Sequence, residues 1–190
     1  MTIITISGTP GSGKSTVAKI LITKLSAERI YVGGIRRQIA RDKGMSISEL
    51  NEYAITHPET DVDVDEQAAA EAKKLESKGK VVIVEGRTQF HFLPQSIKIY
   101  MKVNPDKGAE RIWNELKNKD SRAEEQASSL TELKQELVQR EEVDAQRYQK
   151  YYKIDHHDEQ NYDLVVDTTK LTAEEAAKKI IKFVKRYEEK

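Results

Sequence analysis

The stretch Gly8-Thr9-Pro10-Gly11-Ser12-Gly13-Lys14-Ser15 decides how this chain is read. It fits G-x-x-x-x-G-K-[ST], the pattern of a loop that wraps phosphate. Its flanks are the ones the motif needs. Thr2 to Ser7 is short, apolar and β-branched, and reads as a buried strand. From Thr16 to Leu25 the apolar residues Val17, Ile20, Leu21 and Leu25 recur with helical spacing. The glycines let the backbone turn tightly and aim its N–H groups at phosphate oxygens, and the helix N-terminus adds its positive end. Lys14 reaches the β/γ-phosphates and the Ser15 hydroxyl suits Mg²⁺. The chain is therefore expected to bind a nucleoside triphosphate, with Gly8 through Thr16 as the contact segment.

Composition narrows the class. The chain has 190 residues, enough for one α/β domain with a substantial core. Its 32 basic residues balance 32 acidic ones, which argues against nucleic-acid binding through a basic face. There are no cysteines, hence no disulfides and no thiolate metal site. No apolar run approaches the ~20 residues of a membrane span. The opening strand leaves no room for a signal peptide. A cytoplasmic monomer is expected, without membrane or nucleic-acid partners.

Strand and helix patterns alternate, which predicts a mainly parallel sheet wrapped by helices. The strands read as Ile3–Ser7, Arg29–Val32, Lys80–Val84, Ile97–Val103 and Tyr162–Asp167. Gly33-Gly34 reads as a turn before a helix from Ile35 to Lys43. Ser46 with Glu49 caps another helix that runs to about His57, where Pro58 stops it. Asp61 to Ser77 is a third helix. Asn104-Pro105 opens one that reaches Lys117. Asn118 to Ser128 is polar and aperiodic, a loop. Leu130 to about Ile154 is a polar helix, and Thr172 with Glu175 caps the last.

A second group of residues points to what receives the phosphoryl group. Glu85-Gly86-Arg87 follows a strand directly, and ligands of open α/β sheets bind at such strand ends. Glu85 suits a Mg²⁺-bound water and Arg87 a phosphate, although a surface ion pair reads the same way. Asp61 and Asp65 share one helix face, fit either to accept from a polar ligand or to form a solvated acidic first turn. Arg140 and Arg147 also share a face, next to Arg122 in the loop. They fit a closing arginine lid, or the i,i+4 pairs Glu136–Arg140 and Arg140–Asp144 of an exposed helix. His156-His157, between Asp155 and Asp158, hints at metal but is ordinarily solvated. His91, between Phe90 and Phe92, reads as pocket wall or core, and Trp113 as packing.

Taken in order, several of these pieces resemble one family. They are the phosphate loop, Gly33-x-Ile35-x-Arg37-x-x-Ala40, Gly44-Met45-Ser46, His57-Pro58-Glu59-x-Asp61-x-x-x-Asp65, and Glu85-Gly86-Arg87. Ala109-Glu110-Arg111-Ile112, Arg140-Glu141-x-x-x-x-x-Arg147-Tyr148 and Tyr162 to Thr168 complete the set. The chain resembles the archaeal-type cytidylate kinases, a branch of the P-loop nucleoside monophosphate kinases. The resemblance implies a single domain with a five-stranded parallel core (1–32, 80–117 and 156–190), a monophosphate-binding insert (33–79) and a lid (118–155). It implies ATP and Mg²⁺, with CMP or dCMP as acceptor. Lys14, Arg87, Arg140 and Arg147 would be catalytic. Arg111, Asp167 and Thr168 would join the loop around ATP. Gly33, Arg37, Asp61, Asp65 and Arg87 would hold the acceptor, and Ser15 with Glu85 would hold the metal. The chain departs from the family at Gly34-Ile35-Arg36, where members carry Glu-Ile-Phe, and at Thr88 to Phe92.

The acceptor of such a kinase is a phosphate oxygen that is already anionic, so positioning and charge neutralisation suffice. A kinase acting on an alcohol, resembling shikimate kinase, would need Asp61 or Asp65 as base. A non-enzymatic ATP switch would need no acceptor pocket. Arg37 and Arg87 favour the kinase.

Overall fold

The computed structural model describes residues 2–117 and 127–189; Arg122 and its neighbours 118–126 lie outside the described residues. Five parallel strands form one sheet in the order β2-β3-β1-β4-β5. They are β1 (Ile3–Gly8), β2 (Glu28–Tyr31), β3 (Val82–Glu85), β4 (Ile97–Lys102) and β5 (Leu164–Asp167). Both central strands β1 and β3 are buried along their length, as a sheet covered on both faces requires. On one face α1 (Lys14–Leu25) and α8 (Ala173–Glu188) pack Val17, Leu21, Ile180 and Val184 against Ile4, Ile6 and Ile99. On the other, α4 (Glu59–Ser77) packs Val64, Ala68 and Ala72 against Ile3, Val82 and Val84. Among the described residues no helix is long and apolar enough to cross a membrane.

The remaining helices gather at the carboxyl end of the sheet. They are α2 (Val32–Asp42), α3 (Ile47–Tyr53), α5 (Gln89–Phe92), α6 (Pro105–Lys117) and α7 (Leu130–Tyr152). The two expected capping boxes form, Ser46 with Glu49 on α3 and Thr172 with Glu175 on α8. Asn104 caps α6 by accepting from the Lys107 N–H at 3.2 Å.

Three local expectations need correction. Gly33-Gly34 is no turn; both residues lie in the first turn of α2. The Tyr31 ring covers them, and a Cβ on Gly34 would stand 2.6 Å from Tyr31 Cδ1, so the pair is needed for close approach. The capped helix stops at Tyr53 instead of His57; beyond it the Ile55 and Thr56 N–H groups bond only three residues back, to the Glu52 and Tyr53 carbonyls at 3.0 and 3.2 Å. The last strand starts at Leu164, after a short 3₁₀ turn at Glu159–Asn161.

Backbone contacts seat the phosphate loop. Gly8 has φ +142, and a Cβ there would fall 1.9 Å from the Met101 carbonyl oxygen of β4. Gly11 has φ +70 and lies against Gly108 of α6, where a Cβ on Gly11 would be 2.2 Å from the Gly108 oxygen. The Thr9 N–H donates to the Met101 carbonyl at 3.1 Å. The loop therefore rests on bare backbone, which leaves no slack for side-chain repacking. Gly108→Ala puts a methyl 2.7 Å from the Pro10 carbonyl oxygen. It should destabilise the fold by about 1–3 kcal/mol and weaken ATP binding as the loop shifts. Thermal melting and nucleotide titration of the variant check this; unchanged values in both would show the loop is not seated on α6.

Candidate active site

Strands β1 and β3 are neighbours in register, with Ile6 level with Glu85, so the loop after β1 and Glu85-Gly86-Arg87 after β3 open into one cleft. The cleft, of about 800 Å³, is lined by the phosphate loop, the start of α2, α4, and Arg140 and Asp144 of α7. Its lining includes nine basic residues, Lys14, Arg36, Arg37, Arg87, Arg111 and Arg140 among them, against five carboxylates. This is the electrostatic shape of a polyphosphate site.

Lys14 folds back on its own loop and donates to the Gly8 and Thr9 carbonyls at 2.7 and 2.8 Å. Burial first, then the neighbouring Arg87 and Arg140, hold its ammonium down at about 7. Ser12 Oγ donates to the Thr9 carbonyl at 2.8 Å and fixes the loop. Pro10, Gly11, Gly13, Ser15 and Thr16 line the same wall. Arg111 bridges the loop to the end of β5, donating to the Gly11 carbonyl at 3.3 Å and to the Thr168 carbonyl at 2.8 Å. Thr168 Oγ1 is 3.0 Å from the Ser12 carbonyl. Asp167 differs from its neighbour: it is exposed and accepts from the Thr169 N–H at 2.8 Å.

Glu85 is 2% exposed. One carboxylate oxygen accepts from Arg29 Nε at 2.5 Å, and the other, Oε2, is buried with no hydrogen-bond partner. A buried orphan carboxylate oxygen in a cleft that also contains the Ser15 hydroxyl fits a hard, water-bearing cation.

The acceptor side is organised by buried charges. Asp61 and Asp65 are 2% and 4% exposed, so neither belongs to a solvated helix turn. Asp61 is held by Arg36 on one oxygen and by Arg147 on the other. Asp65 accepts from Thr88 Oγ1 and Tyr152 Oη at 2.8 Å and from Gln89 Nε2 at 2.9 Å. Burial pushes the Asp65 carboxyl up to about 6 against the pull of these donors. Arg87 pairs with Asp144 and, at 2.5 Å, with Glu141 Oε1. Arg147 also pairs with Asp144. Arg37 donates to the Tyr31 hydroxyl at 2.5 Å, beside Gly33.

The arrangement alters several expectations. Arg147 is not on an exposed lid face: it is 1% exposed, beneath the cleft wall. Asp144, expected as a surface partner of Arg140, is 3% exposed and clamps Arg87 and Arg147, which hold its carboxyl well below the usual range despite burial. Arg36, at the departing segment, is buried and also reaches Asn51 Oδ1 at 2.9 Å. His156 is not solvated but 2% exposed. His91 is exposed, edge-on to Phe92 and stacked on Tyr152, and does not line the cleft. Asp144, Glu141 and Asn51 are site residues that sequence reading missed. The i,i+3 spacing of Asp144 and Arg147 was the available signal, but it is the same for a surface pair.

Comparison with known proteins bears on the chemistry. A family profile described as an AAA domain (AAA_18) matches residues 4–132. Cytidylate kinase of Archaeoglobus fulgidus is 36% identical over 182 residues, spanning 95% of this chain and 93% of that protein. Cytidylate kinase of Methanothrix thermoacetophila is 37% identical, spanning 87% of this chain and 88% of that one. Among solved structures, shikimate kinase from Bacteroides thetaiotaomicron covers 97% of this chain with a TM-score of 0.59 at 16% identity, a likeness of fold alone. The phosphate loop, the arginine after β3 and identity over nearly the whole of both sequences agree: the chain belongs to the cytidylate kinase family.

Proposed function

We propose that this chain transfers the γ-phosphoryl group of ATP to CMP or dCMP, forming ADP and the diphosphate. The observation that carries the reading is a phosphate loop and Arg87 on adjacent strand ends of one cleft, in a member of this family. Lys14, the loop N–H groups and the N-terminus of α1 would hold the donor phosphates. Arg111 and Thr168 would close the adenine side, with Asp167 beyond them. Arg87 and Arg37, near Gly33, would take the acceptor phosphate, and Arg140 would face the transferring group.

Ser15 and, through water, Glu85 Oε2 would hold Mg²⁺, which when bound offsets charge on the donor phosphates. The acceptor oxygen attacks as an anion, so no residue needs to remove a proton. Arg87 carries Asp144 and Glu141 before substrate arrives, and these carboxylates hold it oriented and charged. A bound acceptor phosphate shares or displaces them. Asp61 already serves Arg36 and Arg147, and Asp65 serves Thr88, Gln89 and Tyr152. Base and sugar recognition then falls on Arg36 and on whatever lone pairs the two carboxylates keep. Arg140 and Arg147, with Arg122 of the undescribed segment, make up the lid reading. The chain would act as a cytoplasmic monomer.

A coupled assay of ADP release across CMP, dCMP, UMP, AMP, GMP and shikimate tests the reading. CMP or dCMP should give the highest kcat/KM. ADP release that ignores added acceptor would overturn it in favour of a switch, and turnover of shikimate in favour of a metabolite kinase.

Arg87→Ala should lower kcat/KM for CMP by about 10- to 150-fold, ~1.5–3 kcal/mol, while ATP affinity holds. Loss of ATP affinity with normal CMP use would move Arg87 to the donor side. Lys14 yields a third prediction. With its ammonium at about 7 in the free protein, most of it is neutral at pH 8. Phosphate oxygens favour the charged form, so binding lifts the value and draws in a proton. ATP is fully ionised there and releases none. Calorimetry at pH 8 in buffers of different ionisation enthalpy should show uptake of up to about one proton per ATP, absent in Lys14→Met. Equal heats in all buffers would contradict the buried, depressed lysine.

A further inference from the structure

We infer that Glu141, His156 and His157 form a binding site for a divalent transition ion of the zinc type, apart from the Mg²⁺ site of the phosphate loop. Glu141 lies on α7. The two histidines follow it at the centre of a turn that the Asp158 N–H closes onto the Asp155 carbonyl. One ligand atom from each residue lies within 4.8 Å of the others. Tetrahedral zinc, with bonds of about 2.0–2.1 Å to nitrogen, sets its ligand atoms roughly 3.3 Å apart, so the turn need close only slightly on the helix.

The groups have the right chemistry. His156 is 2% exposed, yet neither ring nitrogen has a hydrogen-bond partner. A buried imidazole without a partner is costly, and a metal ion is one of the few ligands that satisfies it. His157 Nε2 already meets Glu141 Oε2 at 2.8 Å, so an ion would take the place of the shared proton. On the far side of that ring, Nδ1 lies 3.9 Å from Asp155 Oδ1. That oxygen accepts from the His157 backbone N–H at 2.8 Å, so Asp155 fixes the histidine through its main chain. The His157 and Glu141 side chains are 36% and 21% exposed, so the cluster is reached from solvent.

Arg87 stands close, and its charge would oppose a cation. It faces the other carboxylate oxygen, Glu141 Oε1, and is also paired with Asp144. Glu141 thus presents Oε1 to Arg87 and Oε2 to the histidines. Two imidazoles and one carboxylate suit zinc, and they disfavour magnesium, which prefers oxygen ligands.

The test uses the full chain, stripped with a chelator and titrated with Zn²⁺ against a chromophoric chelator, without nucleotide and in excess Mg²⁺. One Zn²⁺ per chain should bind, and Co²⁺ in its place should show the visible absorption of a four-coordinate ion with nitrogen ligands. His156→Ala and His157→Ala should each weaken Zn²⁺ binding at least about tenfold. His156 is buried and its variant can lose stability, so the half-exposed His157 supplies the decisive comparison. No Zn²⁺ held against the chelator, or the same affinity in His157→Ala as in the parent, would overturn the site.

Discussion

Buried charges of alternating sign hold the working end of this molecule together. Arg36, Asp61, Arg147, Asp144, Arg87 and Glu141 pair in that order, from α2 and α4 to α7, across to the turn after β3 and back to α7. Three cations face three anions, and each interior member touches two of the opposite sign. Removing Arg147 or Asp144, both deeply buried, breaks two pairs at once, and breaking a buried pair typically costs about 3–5 kcal/mol. The insert helices and α7 therefore cannot settle independently on the sheet. Their relative position is set by a requirement for charge balance more than by apolar contact, since α7 has few apolar residues facing inward.

The same chain of pairs prepares the cleft for anions. Arg87 is kept in place and charged by two carboxylates, while Lys14 is enclosed by its own loop and by like charges. Under the proposed function, phosphate would relieve both conditions: it would supply Lys14 with a counter-charge and offer Arg87 a bidentate partner. On that reading, binding would exchange contacts within the protein, Lys14 to its own loop and Arg87 to its carboxylates, for contacts to phosphate.

The departure at Gly34-Ile35-Arg36 acquires a physical sense here. An arginine buried where the resemblance leads one to expect an aromatic side chain needs an anion, and Asp61 supplies it together with Asn51 and the Thr60 carbonyl. The glycine before it is equally constrained, because Tyr31 lies across the first turn of α2. Position 36 and the Tyr31 contact thereby exchange apolar packing against the acceptor for polar packing.

What the sequence alone determined was local. A short β-branched strand, a glycine loop, a lysine and an amphipathic helix are contiguous, so the donor site was legible from Thr2 to Leu25. Capping at Ser46, Thr172 and Asn104 was legible for the same reason, since donor and acceptor lie three residues apart. Strand alternation fixed the class of sheet, and Arg87 could be placed because a strand end determines where its next residues project. Only the tertiary structure decided which carboxylate serves which arginine. Asp61 meets Arg147 across 86 positions, and Arg87 meets Asp144 across 57. A charged residue on a polar helix looks the same in sequence whether it faces solvent or a buried partner. Burial is a property of what packs over the helix, so Asp144 and His156, read as ordinary surface chemistry, and Arg147, read as a lid arginine or an exposed pair, are interior groups in the structure.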